Sequence, residues 1–541
     1  MSKEQEVAVI HPEGERELVV VGGPNQGSTV DTYGGSIHVK WDETAAVTPF
    51  GQLAFFIEFL KTAGLWEGWV QECPVTYESP NAPAKTDVLG TILLSVLAGH
   101  RRYAHITALR FDGVNPQLLG MTKVCSEDSV RRAFSAVDQA ECMAWLTRHL
   151  RISYEPLLSE SWILDIDSTV KPLYGHQEGA VKGYNPGKPG RPSHVYHTYF
   201  AATVRLVLDV EVQAGNQTAS SYAQPEFWNY IDSLPAEARP AFVRGDCDWG
   251  TERMMAAAEE RKILYLFKLK QRSKVKQLIE QAFSRQDWVS AGQGWKGVEA
   301  ELMLTGWSRQ RRVIVLRRRI LDERLLAEKK RLADTTPDRQ LALGFVEIVK
   351  DGPLYEYAVL VTSLPDEILS LGQHYRDRAD AENNFDELKN QWGWSGFTTH
   401  DLKRCQIMAR TIALIYNWWS LFTRLAIPEK HAEAITSRPL LLNAVGKQTT
   451  HSGQTTVTVT SMHAKAPQMR SALQAISSFL ATIRNAAEQL TYPQKWLLVL
   501  SRVFCHFLKG RILGQSQFVP ETAYSGASRT AFRGKSNRIP G

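Results

Sequence analysis

The chain has 541 residues, of which 43% are hydrophobic and 22% charged, and its formal net charge is +6. This length allows two to four domains with substantial cores, and the composition excludes a disordered, fibrous or coiled-coil protein. No apolar run approaches the roughly 20 residues of a membrane-spanning helix, and the N-terminus lacks the basic-then-apolar pattern of a signal peptide. We therefore expect a cytoplasmic, nucleoid-associated protein.

Basic residues cluster along the chain. Residues 261–276 carry seven Lys and Arg and no acid, and residues 309–331 carry ten against three acids. Such clusters indicate a polyanion-binding protein. The six cysteines lie far apart without a C-x-x-C pair, which predicts reduced thiols and no zinc site.

Residues 1–35 are polar and glycine-rich and predict a flexible arm or a loose pair of strands. Residues 36–157 have apolar positions at helical spacing and predict a helical domain. A turn there precedes a helix at 126–150 that carries Arg131 and Arg132 one turn after its start, an order typical of helix-turn-helix DNA binding. A helical packing domain is the alternative.

In residues 158–270 the spacing of apolar residues changes from that of helices to that of strands. The strand SWILDIDST carries Asp165 and Asp167 on one face, where carboxylates are costly unless they are paired or bound to metal. A Gly- and Lys-rich loop follows, in which Lys188 and Arg191 are candidates for contacting DNA phosphates, and then a hairpin and a helix.

A second apolar strand, PAFVRG, ends in Asp246 and Asp248. The order strand, hairpin, helix, strand, helix, strand is that of an RNase H-like core. In that α/β fold the first and fourth strands are neighbours, so Asp167 and Asp246 should meet.

Residues 271–365 predict a mostly β insertion with a charged loop at 323–340 and a further strand at 343–350. Arg317 and Arg319 of this insertion are candidates for contacting DNA. The core then resumes at 366–427. Residues 428–541 predict a helical C-terminal domain with a hairpin at Gln454–Met462 and a basic tail.

The stretch from His374 to Trp394 predicts one helix. In it, Tyr375, Arg378, Glu382 and Lys389 fall within an arc of about 60°. A carboxylate can hold a metal, while the guanidinium, ammonium and phenol suit phosphate. The alternative is a solvated amphipathic helix in which Arg378 and Glu382 form an i,i+4 pair.

This pattern resembles the Y-x2-R-x3-E-x6-K signature of DDE-class transposases of bacterial insertion sequences. VRGD at 243–246 and DIDST at 165–169 add to the resemblance, and the ADAEN…ELK and YGHQEGAVKGYNP wording is most similar to the insertion-sequence 1380 type. The resemblance implies that Asp167, Asp246 and Glu382 are the catalytic acids. Their rivals are Asp165, Asp248 and Asp386.

Three carboxylates of this kind suit two Mg²⁺ ions, with Mn²⁺ as a substitute, because all the ligands are hard oxygens. By resemblance, Tyr375, Arg378 and Lys389 would grip phosphates of the DNA. The reaction implied is excision of an element at its terminal inverted repeats, through hairpin ends, and joining of its 3′-hydroxyl ends to target DNA.

Relatives also imply a dimer that pairs two DNA ends, and an aromatic ring in the insertion that stacks on an extruded base. Tyr357, Trp307 and Trp295 are the candidates for that ring. Two other functions fit the sequence: an RNase H-like nuclease or resolvase without strand transfer, and a non-catalytic DNA-binding derivative of a transposase.

Overall fold

The structure is a computed structural model that describes residues 5–10, 16–21, 27–77, 79, 81–135, 137–185, 187–320, 355–486 and 489–514. Side chains of residues 5–10, 16–21 and 380–382 are outside this description. The predicted loop at 323–340, the predicted strand at 343–350 and the basic tail after 514 likewise lie outside the described residues. Across the described ranges, no helix is long and apolar enough to cross a membrane.

The chain is a mixed α/β protein in which helices surround one large sheet. The helices are α1 (Leu53–Thr62), α2 (Leu65–Gln71), α3 (Lys85–Leu97), α4 (Asn115–Leu118), α5 (Glu127–Ala133), α6 (Gln139–Tyr154), α7 (Ser220–Asp232), α8 (Glu252–Glu260), α9 (Ser273–Ala282), α10 (Ile368–Arg376), α11 (Ala379–Asn390), α12 (Leu402–Ala426), α13 (Ala434–Leu441), α14 (Ala466–Arg484) and α15 (Tyr492–Val503). Short 3₁₀ segments lie at Tyr103–Phe111, Glu155–Ser159 and Ala236–Ala238.

The strands fall into the large sheet and three small pairings. They are β1 (Gln5–Ile10), β2 (Arg16–Val21), β3 (Ser28–Thr32), β4 (Gly35–Val39), β5 (Val47–Thr48), β6 (Ile163–Pro172), β7 (Val181–Lys182), β8 (Pro192–Ala201), β9 (Leu206–Ala214), β10 (Phe242–Gly245), β11 (Leu264–Lys268), β12 (Val289–Gly292), β13 (Trp295–Leu302), β14 (Arg311–Arg319), β15 (Tyr355–Thr362), β16 (Gly446–His451) and β17 (Gln454–Val459).

The large sheet has the order β12-β13-β14-β15-β11-β10-β6-β8-β7, with β9 also paired to β8. At its centre, β10 runs parallel to both β6 and β11. Strands β10 and β11 are short apolar runs, FVRG and LYLFK, as expected for parallel strands covered on both faces. The strands predicted as an insertion continue this same sheet, because β15 pairs antiparallel with β11.

The helical regions at the two ends of the chain share one core. The Trp69 ring in α2 stacks on Trp145 in α6 at 5.4 Å between centroids and meets Trp418 in α12 edge-on at 5.5 Å.

The predicted helix at 126–150 is instead two helices, α5 and α6. The reason is a second N-cap: the Asp138 side chain accepts a hydrogen bond from Glu141 N at 3.0 Å, which favours a new helix start there.

Helix α12 packs against the edge strand β9, as its apolar helical spacing predicts. Asn417 within α12 is fully buried. Its Oδ1 accepts from Val207 N at 2.9 Å, and its Nδ2 donates to Val207 O at 2.8 Å. One side chain thereby satisfies both backbone groups of a strand residue, as a neighbouring strand would.

The smaller strand pairings lie near the ends of the chain. The N-terminal region forms two antiparallel pairs, β1 with β2 and β3 with β4. The hairpin predicted at Gln454–Met462 begins earlier, at Gly446, because β17 pairs with β16 and β16 in turn pairs with β5.

Candidate active site

Asp167 and Asp246 lie side by side at the centre of the sheet. Strand β10 pairs with β6 so that Gly245 is opposite Ile166, and Asp246 and Asp167 are the next residues on the two parallel strands. Burial, together with the charge of Asp167, raises the pKa of Asp246 to about 6. Two carboxylates this close favour a shared cation, because like charges oppose each other's ionisation.

Arg378 supplies a positive charge at this point. Its Nη1 donates a hydrogen bond to Asp167 Oδ2 at 2.5 Å, and both side chains are almost buried. Burial by itself would lower the pKa of Arg378, yet the charge of Asp167 keeps that pKa above its usual range. The arginine predicted to bind phosphate therefore also holds a predicted metal ligand.

Asp165, the rival of Asp167, has a different partner. Arg244 donates from Nη2 to Asp165 Oδ2 at 2.9 Å and from Nε to Oδ1, and both side chains are buried. Arg244 also donates from Nη1 to the carbonyl of His374. This ion pair links β6, β10 and the end of α10, so its geometry is that of a structural brace.

Asp248, the rival of Asp246, forms an ion pair with Lys270. Its backbone N–H donates to Asp246 Oδ1 at 2.9 Å, and its carbonyl accepts from Ser220 Oγ at 2.7 Å. The turn after β10 thus orients Asp246 while Asp248 points to a surface lysine.

The predicted helix from His374 to Trp394 is wrong as a single helix, because it breaks between α10 and α11. Tyr375 lies in the last turn of α10, and Arg378 is the N-cap of α11. Arg378 N donates to Tyr375 O at 3.3 Å, a tightened turn at the point where the Arg378 side chain reaches Asp167. Tyr375 is in range of the Asp246 charge, and burial is the main cause that raises its pKa to about 12.

Helix α11 lies along β6. Lys389 Nζ donates to Thr169 Oγ1 at 3.1 Å, and Thr169 is two residues beyond Asp167 on the same face of the strand. Burial lowers the pKa of Lys389. The backbone of Glu382 belongs to the same helix, one turn after Arg378 and two turns before Lys389, while its side chain is outside the described residues.

Asp386, the rival of Glu382, is exposed and accepts from Asn390 Nδ2 at 2.7 Å. Among the side chains that the structure describes, no group of three or more His, Cys, Asp and Glu residues gathers as a metal site.

A buried carboxylate that the sequence did not reveal holds the C-terminal part of α11. Glu387 is 2% exposed. It accepts hydrogen bonds from Trp392 Nε1 at 3.0 Å, from His431 Nε2 at 2.8 Å and from Ala434 N at 3.0 Å. The helix is thus fixed to the start of α13. An acid among apolar positions of a helix is the one sequence signal for such a role.

The other predicted DNA-contacting residues lie in three separate places. Arg131 lies over the Tyr103 ring at 5.0 Å, and its neighbour Arg132 is exposed. Lys188 and Arg191 both lie close to the exposed Tyr174 ring, in the loop between β6 and β8.

In β14, Arg317 is stacked between Trp288 at 3.8 Å and Tyr355 at 4.8 Å, while Arg319 is exposed. The sequence singled out Arg317 but not the indole and phenol that hold it, because Trp288 and Tyr355 are distant from Arg317 in the chain.

The three aromatic residues proposed for base stacking differ in exposure. Tyr357 is 4% exposed and packs on Phe283 at 5.4 Å. Trp307 is 8% exposed and lies under Arg311 at 5.3 Å. Trp295 is half-buried beneath Arg318 at 5.0 Å. Tyr357 and Trp307 therefore serve the core, and Trp295 has the most accessible ring of the three.

The chain is similar to a known protein family and to a solved structure. The family model described as Transposase DDE domain group 1 matches residues 81–480, well over half of the chain. Among solved structures, the chain is similar to a piggyBac transposase in a synaptic complex with hairpin DNA, determined by cryo-electron microscopy. The identity is 10%, the match covers 88% of each chain, and the TM-score is 0.36. No curated protein matches the chain.

Proposed function

The chain belongs to the Transposase DDE domain group 1 family, and we propose that it is the transposase of a bacterial insertion sequence. It would bind the terminal inverted repeats of its element, excise the element through hairpin ends and join the 3′-hydroxyl ends to target DNA. The observation that carries this proposal is the pair Asp167 and Asp246 on adjacent parallel strands, with Arg378 and Lys389 placed along the same strand.

The order of the central strands supports an RNase H-like core. Strands β9, β8, β6, β10 and β11 are consecutive neighbours, and β6, β10 and β11 are parallel. The β strands that continue the sheet between β11 and α10 are the interruption expected between the second and third acids. The ADAEN…ELK and YGHQEGAVKGYNP segments, which resemble the insertion-sequence 1380 type, support the assignment to a bacterial insertion sequence.

The residues present fit divalent metal ions. Asp167 and Asp246 are hard oxygen ligands, and the raised pKa of Asp246 indicates a place where added positive charge is favourable. Asp167, Asp246 and Glu382 would hold two Mg²⁺ ions, or Mn²⁺ as a substitute. Bound there, the ions would stabilise charge on the attacking and leaving oxygens of an in-line phosphoryl transfer.

The chain's own residues would position the DNA. Arg378 holds Asp167 in place and carries a guanidinium fork suited to a phosphate. Lys389 brings an ammonium to the other end of α11, and Tyr375 brings a hydroxyl donor near Asp246. Arg131, Arg132, Arg317 and Arg319 would contact more distant parts of the duplex, and two chains would pair two DNA ends in the bacterial cytoplasm.

The proposal is tested with purified protein, Mg²⁺ and duplexes that end in the inverted repeats flanking its gene. We expect cleavage at the repeat, hairpin products on denaturing gels, and covalent joining to a target plasmid; Asp246→Asn should abolish all three. Cleavage without joined product would identify a nuclease or resolvase instead. Excision that persists in Asp246→Asn would identify a non-catalytic derivative.

A further inference from the structure

The loop between β6 and β8 presents an exposed, basic and aromatic surface. Tyr174 and Tyr184 are each 68% exposed, and Lys182, Lys188 and Arg191 are exposed with them. The acid of this loop, Glu178, accepts from Leu402 N at 3.0 Å. With Lys182, Lys188 and Arg191 against this one carboxylate, the surface presents an excess of positive charge.

Three of these side chains form what we name the Tyr174 cluster: Tyr174, Lys188 and Arg191. Lys188 Nζ lies 5.0 Å and Arg191 Cζ 4.8 Å from the centre of the Tyr174 ring. Lys188 Nζ also donates to the Tyr174 hydroxyl. The phenol thereby holds two cations at one place on the surface.

The backbone beneath the cluster is fixed in its turn. Asn185 Oδ1 accepts from Lys188 N at 3.1 Å, and Arg191 N donates to Lys188 O at 3.1 Å. Gly183 passes so close to Gly215 that a Cβ at position 183 would lie 1.8 Å from the Gly215 carbonyl oxygen. A fixed pair of cations binds an anion with less loss of conformational entropy than two free side chains.

The cluster lies at the end of the strand that carries Asp167. Tyr174 is seven residues further along, which at about 3.3 Å per residue separates the two by at most about 23 Å. Between them, Thr169 meets Lys389. Along the axis of B-DNA, which rises about 3.4 Å per base pair, this distance corresponds to at most about seven base pairs.

We propose that the Tyr174 cluster is a docking surface for the backbone of duplex DNA, within about seven base pairs of the phosphate that Asp167 and Asp246 would cut. The location of that phosphate rests on the proposed function. Duplex DNA is favoured over an acidic protein because the cluster continues from the candidate active site along one strand. The lysine and arginine side chains of this surface would contact phosphates, and phosphate contacts carry no sequence information.

The test uses the full chain with Lys188→Ala combined with Arg191→Ala. Binding of a fluorescent end duplex of about 30 base pairs is measured by anisotropy over a range of salt concentrations. We expect the slope of log affinity against log salt to become shallower by about 1.8, which is about 0.9 for each of two phosphates lost. Hydroxyl-radical footprinting should lose protection at positions up to about seven nucleotides from the cleavage site.

The matched control is Lys495→Ala combined with Arg502→Ala, which also removes one lysine and one arginine that lie over aromatic rings, at 5.5 Å from Tyr492 and 5.9 Å from Phe479. Its slope and its footprint near the cleavage site should match the wild type. An unchanged slope and footprint in the cluster variant, or an equal change in the control, would overturn the docking surface.

The same preparations separate this surface from the proposed function. A wild-type chain that shows the footprint but cuts no DNA would contradict the transposase proposal and support the surface. A wild-type chain that cuts and joins DNA, with a footprint that the cluster variant leaves intact, would do the reverse. Lys188→Glu is a second variant, and its reversed charge should weaken binding further.

Discussion

Arg378 Nη1 donates to Asp167 Oδ2 at 2.5 Å, and this contact joins the start of α11 to the central strand β6. The two residues are 211 positions apart in the chain. Both are nearly buried, so each charge depends on the other for its solvation. The contact places the helix that carries Glu382 against the two aspartates.

The first prediction concerns the dual role of Arg378. Arg378→Ala should lower the single-turnover rate of DNA cleavage by about 100-fold or more, because it removes both a donor to phosphate and the partner of Asp167. Arg378→Lys should recover a small part of that loss, since an ammonium cannot form a bidentate contact. Mn²⁺ affinity, measured by electron paramagnetic resonance, should not fall in Arg378→Ala. A large fall would mean that Arg378 acts chiefly by shaping the metal site.

The second prediction concerns the pH dependence of stability without metal. The folded chain holds the proton of Asp246 more tightly than the unfolded chain, with a pKa of about 6 against 3.8. The Asp246 contribution therefore lowers the free energy of unfolding as pH rises from about 4 to about 6. Asp246→Asn should stabilise the protein at pH 7.5 in EDTA by about 3 kcal/mol.

Urea denaturation at several pH values checks this second prediction. The gain from Asp246→Asn should shrink toward pH 5, and Mg²⁺ should stabilise the wild type but not the variant. Asp248→Asn is the control. It removes a partly exposed ion pair with Lys270, so it should not raise the free energy of unfolding. A destabilised Asp246→Asn variant would show that its carboxylate is not under repulsion from Asp167.

Part of the site was predictable because it depends on local pattern. Asp167 and Asp246 each follow a short apolar run, and parallel neighbouring strands bring such positions together. The break at Arg378 was not predictable, since the apolar and polar spacing of residues 374–394 continues through it. At the break the Arg378 side chain meets Asp167, and only the folded sheet places Asp167 beside it. The same holds for Arg317, whose aromatic neighbours come from other elements.

The third prediction decides between Asp165 and Asp167 as the metal ligand. Asp165→Asn leaves the Arg244 guanidinium buried without a full counter-charge, which should cost about 3 kcal/mol of unfolding free energy. Its Mn²⁺ affinity should stay within a few-fold of the wild type, whereas Asp167→Asn should lose metal binding. Metal binding lost in Asp165→Asn and kept in Asp167→Asn would reverse the assignment.

The last prediction compares two adjacent carboxylates of α11. Glu387 is buried and accepts hydrogen bonds from three donors, while Asp386 is exposed and accepts a hydrogen bond from Asn390. Glu387→Gln presents an amide to groups that are themselves donors, so it should lower the free energy of unfolding by about 2 kcal/mol. The loosened end of α11 carries Lys389. The single-turnover rate should therefore fall about tenfold, since small misplacements of positioning groups are costly.

Asp386→Asn is the matched control for Glu387→Gln, and stability, DNA affinity and cleavage rate should all remain near wild-type values. Cleavage lost in Asp386→Asn but retained in Glu382→Gln would instead make Asp386 the third acid. In that case the Y-x2-R-x3-E-x6-K spacing would not mark the metal ligand of this chain.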